Sequence, residues 1–295
     1  MMKWIKIIFT LTMLSFFSNA KALGYCEDTG VSEDADGVIT FTGGESSMGD
    51  CAFAPDEYTI KIYKMALCTS TPTRPTTTDT YDVSSCEDVI VSPDGQDVNL
   101  AAGSEITLSG VTRPANGSYS YGYILMANTF GIKAKKQFTN TMHTYQDGAT
   151  GNYCWTKDAA AYNSDSDSAG WSDPSPLVEC GGASGTAGTF VETLDQFDVG
   201  QYTAGPISVT NGTLSADLIT DASGLLVTAN KTADRLFGVQ TFTTPIIVTT
   251  DSSLFTVSFG VNQASGIWMT DEGAANEYDV YAIGSGPFST FMTVE

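Results

Sequence analysis

The run Asn163 to Asp173, NSDSDSAGWSD, holds three aspartates, Asp165, Asp167 and Asp173, whose type and spacing could do chemistry. Hard carboxylate oxygens at alternate positions of a loop can converge on one Ca²⁺ ion. The run departs from the twelve-residue calcium loop: no Gly follows Asp167 directly and no Glu closes it. A second acidic group, Asp28, Glu33, Asp34 and Asp36, lies near the N-terminus. Trp155, Tyr162 and Trp171 fall in the same polar stretch as the first group. Exposed rings there could stack on sugar faces, whereas buried rings would anchor loops and fill a core. Ca²⁺ and a carbohydrate are therefore the ligands to expect, if any.

Catalytic groupings fare worse. His143 is the single histidine, and no Gly-x-Ser-x-Gly elbow accompanies it. A carboxylate pair set about 5 to 9 Å apart could hydrolyse a glycoside, but 34 acids offer too many candidates to single out two. No Gly-x-x-x-x-Gly-Lys-Ser/Thr run is present to cradle phosphate. The expectation is a protein that is not an enzyme.

The chain opens with MMKWIKIIFTLTMLSFFSNAKA: lysines at 3 and 6, an apolar run from Ile7 to Phe17, then Ala20-Lys21-Ala22. That is the pattern of a secretory signal peptide over residues 1–22, cut after Ala22 or Ala20. The apolar run is shorter than the ~20 residues a spanning helix needs, and Tyr25 before Cys26 departs from a lipidation site. The expected location is secreted, periplasmic or cell surface, without direct membrane insertion. Six cysteines follow: Cys26, Cys51, Cys68, Cys86, Cys154 and Cys180. An even count in an exported chain predicts three disulfides. Fifteen pairings are formally open; the sequential one is favoured because Cys68 and Cys86 flank a Thr/Pro-rich loop in need of closure. Metal-type Cys-x-x-Cys spacing is absent.

The formal charge is −21; without Lys3, Lys6 and Lys21, the 13 basic residues become 10 against 34 acidic, a net −24. Such a surface repels nucleic acid and anionic lipid, and it suits a saline exterior in which counter-ions screen self-repulsion.

Strands must frame these loops. Glu57 to Leu67 alternates with both faces mixed, and Val89–Val91 meets a Pro93-Asp94-Gly95 turn. Val98–Leu100 and Ile106–Leu108 precede the clearest strand, Tyr119 to Ala127. It begins half-exposed and ends apolar on both faces, as a central strand does. Asn211-Gly212 predicts a hairpin between Pro206–Thr210 and Thr213–Leu218, and strands at 235–242, 246–249, 254–261, 267–270, 278–283 and 288–294 follow. Residues 135–180 read as irregular, with Lys133, Lys135 and Lys136 as a salt-bridging face. GGASGTAG over 181–188 reads as a linker.

The corner formed by Pro114, Gly117, Tyr119 and Tyr121 resembles transthyretin-like and collagen-adhesin B-type β-sandwiches, with one more residue between Pro and Gly. The likeness spans residues 57–134. It implies a secreted, non-catalytic module used in surface structures or ligand binding.

The expected fold is all-β, two antiparallel sandwiches with little helix: 23–180 braced by disulfides, a linker at 181–189, and 190–295. The expected function is a structural or cell-surface assembly protein, a filament or surface-layer subunit whose partners are its own copies or other surface proteins. Val38–Thr42 is the segment that could add a strand to a neighbour. The alternative is a secreted carbohydrate- or ligand-binding module.

Overall fold

The computed structural model describes residues 25–26, 30–42, 48–100, 111–144, 149–164, 177–209, 211–252, 255–271 and 278–294. The expected signal peptide, Asp28, the Ile106–Leu108 strand, Asp165, Asp167, Asp173 and Trp171 lie outside them. The chain is all-β. In order the strands are β1 (Tyr25–Cys26), β2 (Val31–Glu33), β3 (Val38–Phe41), β4 (Met48–Phe53), β5 (Glu57–Cys68), β6 (Cys86–Leu100), β7 (Gly117–Met126), β8 (Thr129–Lys133), β9 (Lys135–Thr144) and β10 (Thr150–Thr156). There follow β11 (Ala159–Tyr162), β12 (Val178–Gly181), β13 (Phe190–Thr193), β14 (Thr203–Val209), β15 (Gly212–Ile219), β16 (Arg235–Val248), β17 (Phe255–Gly260), β18 (Ser265–Asp271), β19 (Tyr278–Ser285) and β20 (Ser289–Val294).

They form two large sheets and a ribbon. Sheet A runs β1-β4-β18-β19-β9-β10-β12, with β3 parallel to β9 and β2 beside β3, and it curls until it is nearly a barrel. Sheet B runs β11-β13-β8-β5-β7-β16-β15-β14, with β6 on the other side of β5. The ribbon pairs β17 with β20.

β5 explains much of sheet B. Its alternating Tyr58, Ile60 and Ile62 are buried, and from Met65 to Cys68 every side chain is. A strand buried on both faces needs neighbours on both sides. It has β6 along one side and β7 and β8 end to end along the other. The break between β7 and β8 is held by buried Asn128, which donates to Leu194 O and Ala233 O. The Pro114 corner opens β7 as expected, and the Tyr119 hydroxyl donates back to Ala115 O at 2.7 Å.

Several elements differ from expectation. Pro93-Asp94-Gly95 is not a hairpin turn: β6 continues through it as an irregularity, with both flanks paired to β5. Likewise 235–242 and 246–249 are one strand, β16, with a register shift between them. The 135–180 stretch contains β9 to β12, which its mixed polarity hid. Lys133 and Lys136 do form the expected salt bridges, to Glu57 at 3.0 Å and Glu33 at 2.8 Å. β3 is no loose arm. Ile39 and Phe41 are buried, Val38 and Ile39 pair with Gln137 and Phe138, and the Cys26–Cys51 bridge closes the loop that carries it.

Strand pairing also crosses the expected boundary at 181–189. β7 pairs with β16, β8 with β13, β9 with β19, and β4 with β18. Two successive sandwiches do not map onto these sheets, because each sheet draws strands from both halves. The physical reason lies at one corner, where the chain passes between the sheets three times: from β8 to β9 at Ala134, from β10 to β11, and from β12 to β13. Buried Thr156 ties all three. Its Oγ1 accepts from Ala134 N at 3.1 Å and donates to Gly188 O at 2.7 Å, and its backbone N–H donates to Ala134 O. Thr189 N donates to Asp158 Oδ1 at 2.8 Å. The Gly-rich stretch is thus one limb of a pinned corner.

The ribbon is fastened to sheet B by side chains. Gln240 mimics a strand neighbour, accepting from Thr290 N at 3.0 Å and donating to Thr290 O at 3.2 Å; Asn211 Nδ2 donates to the same carbonyl at 2.7 Å.

Candidate functional site

The Cys154 to Cys180 region starts and ends as neighbouring antiparallel strands. Cys154 and Cys180 lie directly opposite, with Cα atoms 4.0 Å apart, and are joined by a disulfide. The next residue, Trp155, is only 8% exposed. Its indole lies against the backbone of Gly181 and Gly185; a Cβ on Gly185 would come 2.1 Å from the ring. Lys135 Nζ sits 5.7 Å from that ring and donates to Ala183 O and Gly185 O. Trp155 is therefore an anchor for the corner and offers no open face to a sugar. Tyr162 is 37% exposed, but the Lys231 ammonium lies 5.0 Å from its ring centre.

Beneath Tyr162 is a buried polar knot that sequence reasoning missed. Asp195 is fully buried and accepts from Ser164 N, Ser164 Oγ and Lys231 N at 3.0, 2.7 and 2.9 Å. Its own N–H donates to Asn163 Oδ1, and Asn163 Nδ2 donates to Gln196 O. One carboxylate so fixes the end of β11, the segment after β13 and the turn at Lys231, where φ is +61°. An acceptor that satisfies three donors is a structural hub. No pattern announced it, because its partners are 31 and 36 residues away.

Two acids of the N-terminal group, Glu33 and Asp34, are likewise spent within the fold. Asp34 Oδ1 accepts from Asp36 N and Val38 N and makes the turn between β2 and β3, while Glu33 pairs with Lys136. Among the described residues no group of three or more His, Cys, Asp or Glu side chains is gathered as metal ligands would be. His143 is half-buried in β9 opposite Asp279 of β19. All six cysteines are bridged, so none is a thiol nucleophile. A cleft under the ribbon, lined by Met65, Ile124, Leu214, Phe242 and Phe288, measures about 20 Å³, room for one water.

Burial sets the titration of several groups. It pushes the Tyr123 hydroxyl up to about 12. It raises the Asp217 carboxyl despite two hydrogen bonds from Arg74, and raises Glu192. The hydrogen bond from Lys133 holds Glu57 below its ordinary range.

The disulfides pair in sequence order: Cys26 with Cys51, Cys68 with Cys86, and Cys154 with Cys180. Each joins residues directly opposite in an antiparallel ladder. Each also joins a strand at a sheet margin to its inner neighbour: β1 to β4 at one edge of sheet A, β12 to β10 at the other, and β6 to β5 in sheet B. They are consistent with an exported protein. No helix among the described residues is long and apolar enough to cross a membrane. No family model, curated protein or solved structure matches the chain.

Proposed function

We propose that this is an exported, non-enzymatic structural protein of the cell surface, a subunit of a filament or layer whose partners are its own copies or other surface proteins. The observation that carries the reading is the position of the disulfides. Margins are where sheets fray and where foreign strands attach. A covalent staple at a margin protects against peeling and proteolysis, and a subunit under load outside the cell needs that protection. Catalysis asks instead for a rigid cleft with converging groups.

Strand exchange through Val38–Thr42 is a poor route to assembly, because that segment fills its own sheet inside a disulfide-closed loop. Contact between folded subunits is the better one. The test is light scattering and negative-stain microscopy of residues 23–295 over a concentration series, with and without Ca²⁺. Ordered polymers or sheets support the reading. A monodisperse monomer throughout overturns it and leaves the carbohydrate-binding alternative, for which a glycan array with a Tyr162→Ala control is the measurement.

A further inference from the structure

Glu192 is a carboxyl in the wrong place for an acid. It lies on β13 in sheet B, 7% exposed, and reaches across the core to accept from Ser285 N of sheet A at 2.5 Å. Gly284 leaves it room: a Cβ there would stand 3.3 Å from Oε2. Two further polar atoms in this part of the core are buried without a hydrogen-bond partner. One is the hydroxyl of Tyr58, pushed up first by burial and then by the nearby charge of Glu192; the other is the hydroxyl of Ser265, the cross-strand partner of Ser285.

Among the described residues no cation acts on it. The charged group acting on Glu192 is Asp195, of the same sign. β18 and β19 carry only Asp271 and Asp279 as charged residues, both at the far end of their pairing. Along β5 and β8, Lys133, Lys61 and Lys64 are committed to Glu57, Asp97 and Asp88. An ionised carboxylate so placed pays desolvation without a partner charge, whereas the neutral acid keeps the Ser285 bond and gains a proton to donate.

We propose that Glu192 is an acid-set latch between the two sheets, a carboxyl that joins β13 to the backbone of β19 while it holds its proton and loosens that junction when it gives the proton up. The expected pH dependence follows from linkage. Burial raises the folded-state value above the ordinary 4.5 of the unfolded chain, so the native state binds more protons between the two. The latch then contributes fully at pH below 4.5, and its contribution is lost as pH rises from there through the raised folded value.

The test compares urea unfolding of the wild type and Glu192→Gln, which keeps an oxygen to accept from Ser285 N, from pH 4 to pH 9. The expected result is equal midpoints in acid and a midpoint for Glu192→Gln that moves progressively above the wild type as pH rises. Parallel profiles, or a variant weakened equally at all pH values, would overturn the latch. Should the variant not fold, a ¹³C titration of the glutamate carboxyls in the wild type decides. One carboxyl still protonated well above the usual range, with Ser285 amide exchange rising as it ionises, supports the proposal; Glu titrations all at or below the ordinary value refute it.

Discussion

Replacing Arg74 by Leu puts the attachment of the Cys68 to Cys86 loop to the test. Arg74 grips Asp217 with two hydrogen bonds, Nε at 2.8 Å and Nη2 at 2.7 Å, and also donates to Ala204 O and Ala216 O. Asp217 is 1% exposed, so Arg74→Leu strands a buried carboxylate. Breaking a buried pair from one side costs about 3 to 5 kcal/mol. Arg74 keeps 34% of its side chain in water, where screening weakens the attraction, so the lower end, about 3 kcal/mol, is the working figure. The loop is held elsewhere by Tyr81 stacked on Phe237 at 4.6 Å, by Leu226 N donating to Thr76 O and by Thr80 Oγ1 donating to Gly224 O at 3.4 Å. Urea unfolding gives the loss; limited proteolysis reads the loop, since a nick between residues 69 and 85 separates fragments only after reduction. Arg74→Leu with Asp217→Leu should recover most of the loss, because an apolar pair of similar volume often replaces a buried ion pair at little cost. A single variant within 1 kcal/mol of wild type and resistant to protease would refute the reasoning.

Three other outcomes follow from the same geometry. Serine at both Cys154 and Cys180, closing 26 residues, should cost about 3.5 kcal/mol on the chain-entropy estimate and expose β12 to protease first. Gln240→Leu leaves the N–H of Thr290 without its acceptor, and should cost about 1 to 3 kcal/mol and speed amide exchange in β20 before other strands. The melting temperature should rise between low salt and 0.5 M NaCl, because screening relieves the repulsion of a strongly acidic chain more than it weakens its exposed ion pairs; a fall would show that the pairs dominate.

What the sequence disclosed was local. Alternation in EYTIKIYKMALC and the Pro114 corner each declare a strand or turn within a dozen residues, and both stand in the structure; the hairpin read at Asn211-Gly212 forms one residue out of the expected register, with Gly212 paired opposite Val209. The sequential cysteine pairing was legible because bridged cysteines lie on strands adjacent in space, separated by 25, 18 and 26 residues. What escaped was non-local. Asp195, Thr156 and Gln240 look like ordinary polar residues, and their roles depend on partners 22 to 50 residues distant. Trp155 read as a platform because nothing beside it reveals that Gly181 and Gly185 will lie against its ring. The linker misled for the same reason: eight small residues suit a tether and a tight sheet corner equally well.

The basic residues carry the exterior argument furthest. Of the ten Lys and Arg beyond residue 22, seven make ion pairs: Lys61, Lys64, Arg74, Lys133, Lys136, Lys157 and Arg235. Lys135 and Arg113 donate to backbone carbonyls, and Lys231 lies over Tyr162. Every cation is thus engaged within the fold, and several fasten edges or corners: Arg74 the loop, Lys136 the β2 hairpin, Lys135 the 182–185 turn. With ten basic against 34 acidic residues, the chain keeps a negative excess that its own cations do not offset. A partner that binds this surface must bring cations or come through salt, and copies packing side by side must do the same. Assembly driven by contact between folded subunits should therefore strengthen with ionic strength, whereas steering to a basic partner should weaken. A single salt series on the scattering experiment separates the two.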